Sequence, residues 1–515
     1  MSSSLGDNRR RRLVPRWRQS RQTPTDESLP SRTAERSQPN APAGELNELR
    51  RAWMSNRRPA FATDLMGAAV VLGRPEEAQD AAHFILEREG QVSLTALRLA
   101  AQILGVPAPP SIVELNTQET HESVQNLRRA VREAPRNPLA WLDLAWAHSA
   151  SGSNDAAERA VRVALSLAPN HRAVIRSSAR FLVHRHRPDE AHDLLRNSPA
   201  LTRDPWLLAA EIATADVASR TSRNIKLGFR MLDSQAFSPL HISELAGALG
   251  TLELDAGSLR KARKLFEVGL KQGTENTIAQ FAWAAHWAAP WEIAPTLLHV
   301  PHAFEANLWE RFHAEAWDDV IEAAERWHFD EPFSARPTVI GSGVAIQTDK
   351  HPIAEKLIHT ALRANPRHPA LLNNLTVALA SQGKIEDAFT TFRKINLVTF
   401  DEELAITITA TAGLLKYRAG FPLEGRAYYD SAIERARANR MGGTAARALL
   451  FKIREELRIG APDPEHLLRQ AEEASKEAKG EMLGLTKKFL SRLVEIAAEA
   501  AESGTQHQLQ KKPER

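Results

Sequence analysis

The sequence predicts an all-α protein, built as a solenoid of helix-turn-helix repeats. Two stretches of 34 residues, 138–171 and 369–402, align with each other without a gap. At equal offsets they carry matching residues, namely Leu144 and Leu375, Gly152 and Gly383, and Ala157 and Ala388. A fixed period of about 34 residues, with small residues where two helices must approach closely, is typical of stacked helix pairs.

Composition supports helix and excludes several kinds of chemistry. The 515 residues include 25 glycines and 29 prolines, too few turn formers for an all-β chain. The chain has no cysteine, which excludes disulfides, thiol catalysis and cysteine-based metal sites. It also contains no phosphate-binding loop, nucleophile elbow or HExxH sequence. We therefore expect no enzyme activity, no cofactor and no metal; an enzyme hidden in the irregular region 277–335 is the weakest alternative.

Residues 1–44 form an arginine-rich arm. They contain nine arginines against four acidic residues, while the net charge of the whole chain is only +4. Because the arm has few apolar residues, we predict that it is disordered. Its candidate contacts to a polyanion are Arg9, Arg10, Arg11, Arg12, Arg16 and Arg18. Arginine forks suit phosphates, and Trp17 could stack on a base; a solubilising tail or a localisation signal is the alternative.

Residues 45–290 are predicted to form a degenerate array of the same repeat. The pattern is first repeat-like over 61–86, and it restarts at 126–135 after a proline cluster. The well-formed unit beginning at Pro138 is followed by looser units over about 204–233 and 239–272.

Residues 291–335 are predicted to form an irregular, tryptophan-rich helical segment. Six of the eleven tryptophans lie between Trp283 and Trp327. Trp283 and Trp287 are four residues apart, which places them on one face of a helix. These two residues, with Trp309 and Trp317, are either buried core or anchors for a binding partner.

Residues 336–503 resume the array and end in a capping helix, and residues 504–515 are predicted to be a polar tail. The final helical pattern, over 480–503, is rich in charged residues, as suits the exposed end of a solenoid. The longest apolar run in the chain, 65–72, is far shorter than the roughly 20 residues that cross a bilayer. We expect a cytoplasmic protein without a transmembrane segment.

The repeats resemble the tetratricopeptide repeat family. The residues that carry the resemblance are Trp141, Leu144, Gly152, Ala157, Ala164 and Pro169, and then Leu372, Leu375, Gly383, Ala388, Phe392 and Ile395. The resemblance implies a right-handed superhelix whose first helices line a concave groove for an extended peptide or a partner helix. Asn373 and Asn374 fall where such a groove would place donors to a peptide backbone. The positive partners of a carboxylate clamp are missing around them.

Three histidines at short spacing raise the question of a metal site. His184, His186 and His192 are interspersed with acidic residues, but the repeat places them at a helix end, in a turn and on the next helix. Ligand types alone do not create converging geometry. We interpret them as part of a solvated turn.

The sequence therefore predicts a scaffold or adaptor that binds a protein or peptide partner in a solenoid groove. The alternative is an adaptor that attaches to nucleic acid through the arginine-rich arm. The sequence names neither the partner nor the oligomeric state.

Overall fold

A computed structural model describes residues 13–19, 43–71, 74–88, 92, 94–106, 123–234, 236–287, 291–292, 294–300, 302–396, 402–476 and 482–510. Over these residues the regular structure is entirely helical, with 25 α-helices and no strand. The chain divides into two compact units, which we call the N-terminal solenoid (within Arg12–Ala306) and the C-terminal solenoid (from Asn307). The predicted all-α solenoid of helix-turn-helix repeats is confirmed.

The helices of the N-terminal solenoid are α1 (Ala43–Ser55), α2 (Pro59–Val71), α3 (Gln79–Leu86), α4 (Leu94–Leu104), α5 (Val124–Glu133), α6 (Pro138–Ala150), α7 (Asn154–Leu167), α8 (Arg172–His184), α9 (Pro188–Arg196), α10 (Pro205–Val217), α11 (Ile225–Asp233), α12 (Pro239–Asp255), α13 (Leu259–Gly269) and α14 (Glu275–Trp287). Helix α15 (Phe304–His313) contains the division between the units.

The C-terminal solenoid continues with α16 (Trp317–Asp330), α17 (Arg336–Gln347), α18 (His351–Ala361), α19 (Pro369–Ser381), α20 (Ile385–Phe392), α21 (Glu402–Arg418), α22 (Pro422–Ala438), α23 (Gly442–Arg458), α24 (Pro464–Ser475) and α25 (Met482–Gln510). Three short 3₁₀ helices, at Pro75–Ala78, Leu270–Gln272 and Pro295–His299, complete the regular structure of the described residues.

The two clearest repeats form as the sequence predicts. At the start of α6, Pro138 occupies the first turn and the side chain of Asn137 accepts a hydrogen bond from the Leu139 amide. Gly152 ends this helix with φ = 74°, a conformation that favours glycine. On the second helix of the pair, Ala157 is fully buried, so α7 can pack closely on α6.

The second clear repeat uses the same signals. Pro369 begins α19, and Gly383 follows that helix with φ = 78°. Ala388 on α20 is fully buried, and α19 and α20 pack against each other. The equal offsets in the sequence therefore correspond to equal roles in two helix pairs.

The looser repeats of the N-terminal solenoid contain buried charges. Arg172 on α8 pairs with Asp204, the residue that caps α10, at 2.5 Å. Arg176, one turn further along α8, pairs with Glu244 on α12 at 3.0 Å. Both guanidinium groups also lie over the indole of Trp206. These ion pairs join α8 to the first helices of the next two pairs, in units where the repeat pattern is loose.

Two boundaries differ in detail from the sequence-based expectations. The region 291–335 contains two well-formed helices, α15 and α16, and the division between the units lies inside it. At the other end, α25 extends through Gln510 into the residues expected to form a polar tail. No proline interrupts the chain in this region before Pro513, so the helical hydrogen bonding continues.

Candidate functional site

Residues 13–19 of the arm lie buried in the N-terminal solenoid. They form no regular secondary structure, yet six of the seven are buried, and Leu13 and Trp17 are each only 1% exposed. The prediction that residues 1–44 are disordered is therefore wrong for this segment, while residues 1–12 and 20–42 lie outside the described residues. Low apolar content argues for disorder only when no preformed surface is available, and here the solenoid supplies one.

One side of the segment is apolar. The indole of Trp17 packs edge-to-face on Phe181 of α8, with ring centroids 6.0 Å apart. Leu13 joins an apolar cluster that includes Ile175, Leu208 and Leu249. Gly247 on α12 makes room for it, because a Cβ at that position would lie 2.8 Å from Cδ1 of Leu13.

Side chains of the solenoid also bind the backbone of the segment. The indole nitrogen of Trp146, on α6, donates a hydrogen bond to the carbonyl of Trp17 at 3.0 Å. The amide nitrogen of Asn276, on α14, donates to the carbonyl of Val14 at 3.2 Å. Both hydrogen bonds are to backbone carbonyls, so they do not depend on the side chains of the bound segment. Any peptide that follows this path would accept them.

The arginines of the segment meet buried carboxylates. Arg18 binds Glu275 of α14 at 2.6 Å, and Arg16 forms an ion pair with Glu305 of α15. Burial alone would raise the pKa of Glu275, but the Arg18 guanidinium holds that pKa below its usual value. The carboxylate therefore stays charged at neutral pH and remains a partner for a cation.

We call this surface the arm groove. It is formed by Trp146, Phe181, Gly247, Glu275, Asn276 and Glu305. Helices α6, α8 and α12 are the first helices of their pairs, and α14 follows the last pair. The groove thus draws on successive units of the array.

The sequence did not identify any of the six groove residues. The sequence signal that could have indicated a bound segment lies in the arm, where Leu13, Pro15 and Trp17 alternate with Val14, Arg16 and Arg18. Such alternation is typical of an extended chain with one apolar side.

The six arginines predicted to contact a polyanion are not equivalent. Arg9, Arg10, Arg11 and Arg12 lie outside the described residues. Arg16 and Arg18 are 8% and 6% exposed and are paired with Glu305 and Glu275. In this arrangement the solenoid's own carboxylates pair with both guanidinium groups, and contact of these arginines with a polyanion remains a prediction.

The predicted tryptophan anchors occupy different environments. Trp283, on α14, is 2% exposed, and Trp287 lies on the same helix with its side chain outside the described part. In the C-terminal solenoid, Trp309 is 1% exposed, whereas Trp317 is half-buried against the edge of Phe312. The arm groove uses Trp146 instead of these four.

Asn373, Asn374 and Trp309 line one apolar pocket of the C-terminal solenoid. The pocket lies among α15, α17, α19, α21 and α23. The amide nitrogen of Asn374 donates to the hydroxyl of Ser342 at 3.0 Å, so it bridges two neighbouring helices. Asn373 is 2% exposed. The expected role of these amides as donors to a partner remains a prediction.

The histidines at short spacing do not converge. His192 is buried and pairs with Glu211 at 2.9 Å, and the hydroxyl of Ser222 donates to the same carboxylate. His186 lies in the turn before α9 with φ = 58°. The described part of the chain contains no group of three side chains placed to bind a metal ion.

Comparisons with known proteins point to one repeat class. Two family models, both described as tetratricopeptide repeat, match residues 118–176 and 344–396. No curated protein matches the chain. Similar solved structures include the crystal structure of the yeast Tom70, which is 12% identical with a TM-score of 0.30, covering 88% of this chain and 99% of that one.

Another similar structure is that of the APC/C hetero-tetramer Cut9–Hcn1. It is 13% identical with a TM-score of 0.36, and the match covers 87% of this chain and 92% of that one. In the described part of the chain, no helix has the length and apolar character needed to cross a membrane.

Proposed function

Because this chain is a tetratricopeptide repeat protein, we propose that it is a protein-binding scaffold whose arm groove holds an extended segment of another protein. The observation that carries the proposal is the arm itself. Residues 13–19 lie in the groove as a peptide ligand would, with the backbone bound at two carbonyls and both arginines paired. A partner segment would occupy the same path.

The proposed role is binding alone, and it follows from the contacts. Trp146 and Asn276 hold the ligand's main chain, and Phe181 and Gly247 shape the apolar side. Each contact is modest, with a net contribution of about 1 kcal/mol for a neutral hydrogen bond. Affinity accumulates because successive units contribute along one extended ligand.

The test uses the full chain with a specific protease site inserted between Pro30 and Ser31. After cleavage the arm is held only by non-covalent contacts, so it can exchange with a labelled peptide that spans residues 10–22. We expect the labelled peptide to bind to the cleaved chain, as measured by fluorescence anisotropy. If the arm departs and the labelled peptide still does not bind, the proposal is wrong.

A matched pair of variants on α6 locates the binding. Trp146→Phe removes the N–H that donates to the carbonyl of Trp17, and we expect about fivefold weaker peptide binding. Trp141→Phe removes an equivalent bond, to the carbonyl of Pro135, outside the arm groove. This control should leave peptide binding unchanged. Equal losses in the two variants would place the peptide elsewhere.

A further inference from the structure

We infer that the arm groove selects a cationic ligand with an arginine–aromatic–arginine pattern, and that the chain's own arm competes with partners of this kind. The inference rests on the proposed function and adds the chemistry of the partner. It follows from three observations. Apolar and cationic side chains alternate along the bound segment, the carboxylates of Glu275 and Glu305 pair with its arginines, and the arm is covalently attached to the solenoid.

The bound segment separates its side chains into two sets. Leu13 lies in the apolar cluster of the solenoid, and Trp17 packs edge-to-face with the ring of Phe181. Arg16 and Arg18, on either side of the indole, reach Glu305 and Glu275. Residues two apart in an extended chain point to the same side, so this spacing matches two cationic positions with one aromatic position between them.

The carboxylates give the groove its selectivity. The side chains of Glu275 and Glu305 are 9% and 2% exposed, and each lies against a guanidinium of the arm. A buried carboxylate that loses a close cation is destabilised, because the low-polarity surroundings do not replace the lost attraction. An acidic or neutral ligand would remove the guanidinium from each carboxylate without replacing its attraction. A ligand with two guanidinium groups restores both contacts.

The arm is a built-in competitor because it is covalently attached. Residues 20–42 connect the bound segment to the start of α1. An attached ligand binds at an effective concentration that the connecting segment sets, without diffusing away. A free partner therefore has to match the pattern of the arm to displace it, and a generic peptide does not.

The test compares peptides on the cleaved chain described above. The set comprises the native sequence of residues 10–22, its Arg18→Gln form, its Arg16→Gln/Arg18→Gln form and a scrambled sequence of the same composition. Since a hydrogen bond to a charged group contributes more than a neutral one, we expect Arg18→Gln to weaken binding about tenfold or more. The doubly substituted and scrambled peptides should bind weaker still.

A charge exchange provides the internal control. Glu275→Arg in the chain should reject the native peptide, and an Arg18→Glu peptide should recover part of the binding, which a general loss of folding would not allow. Circular dichroism of each chain variant checks the helical content. Failure of the exchanged pair to recover any binding, with helical content intact, would overturn the assignment of Arg18 to Glu275.

Competition by the arm is tested with the uncleaved chain. We expect the native peptide to bind the intact chain about tenfold or more weakly than the cleaved one, because the attached arm occupies the groove. Equal binding would overturn the competition. Sedimentation should show a monomer for the intact chain; a dimer that exchanges arms between copies would also overturn binding within one chain.

The outcomes separate this inference from the proposed function. If all four peptides bind equally well, the groove accepts extended peptides in general; the proposed function then stands and the selectivity for arginines is wrong. If no peptide binds after the arm has left, both are wrong. Only binding that depends on the order and charge of the sequence supports the inference.

Discussion

At the scale of single residues, the buried His328 is expected to make the stability of this protein depend on pH. His328 on α16 is 7% exposed. Burial lowers the pKa of His328 from 6.5 to about 4, although a hydrogen bond with the backbone of Ser334 and the nearby Glu325 act in the opposite direction. The imidazole is therefore neutral in the native protein across a pH range where an unfolded chain would protonate it.

The sign of the effect on stability follows from this difference. Between pH 6.5 and about 4 the unfolded state binds more protons at His328 than the native state, so the free energy of unfolding falls as the pH falls. The loss from this group alone is about 3 kcal/mol at full effect, since one pKa unit corresponds to about 1.4 kcal/mol. Well above pH 6.5, where the imidazole is neutral in both the native and the unfolded state, the group contributes no pH dependence.

We predict that His328→Gln flattens the dependence of the unfolding free energy on pH over this range. Urea denaturation at several pH values between 4 and 7 measures it. His359→Gln is the matched control, because His359 lies in the same solenoid and its side chain is 60% exposed. Parallel pH profiles for the His328 variant and the unmodified chain would contradict the prediction.

At the scale of helices, small residues decide how closely elements approach. Helix α17 contains two glycines, two residues apart. A Cβ at Gly341 would lie 2.5 Å from the Cβ of Ala324 on α16, whereas a Cβ at Gly343 would meet no atom within 4 Å. Helices α16 and α17 therefore pack so closely that only glycine fits at position 341, whereas position 343 has room for a side chain.

We predict opposite effects for the same substitution at these positions. Gly341→Ala should lower the free energy of unfolding by about 1–3 kcal/mol, because it forces α16 and α17 apart. Gly343→Ala should raise it by about 0.5–1 kcal/mol, because alanine favours helix and finds open space. Chemical denaturation measures the free energy of unfolding of both variants. Equal effects of the two substitutions would contradict the close packing of α17 on α16 at Gly341.

The same scale shows what sequence can predict and what it cannot. Gly152, Ala157, Gly383 and Ala388 were identified correctly as repeat positions because turns and helix contacts are local signals that recur at a fixed offset. The prediction of disorder fails at residues 13–19 because the partners of these residues are remote in sequence. Trp146, Glu275 and Glu305 lie 129, 257 and 289 residues from the arm residues they bind. Local composition carries no information about such distant partners.

At the scale of the molecule, the arm acts as a cross-link within the N-terminal solenoid. A repeat array is stabilised mainly by contacts between neighbouring units. Residues 13–19 add contacts that join α6, α8, α12 and α14, which nearest-neighbour packing alone does not provide. Occupancy of the groove, by the arm or by a partner, should therefore change the local stability of several helices together.

We predict that Trp17→Ala in the full chain increases hydrogen exchange in α6, α8 and α14. Truncating a buried aromatic side chain typically lowers the free energy of unfolding by about 3–5 kcal/mol. Here the arm can leave the groove instead, and its release limits the loss of stability. Peptides covering 59–86 serve as the internal reference, because the apolar cluster of that region contains no arm residue. Adding the native peptide of residues 10–22 should restore protection in the affected helices. An increase that is uniform over the solenoid, or one that the peptide does not reverse, would mean that Trp17 supports the whole unit and that the groove is not an exchangeable ligand site.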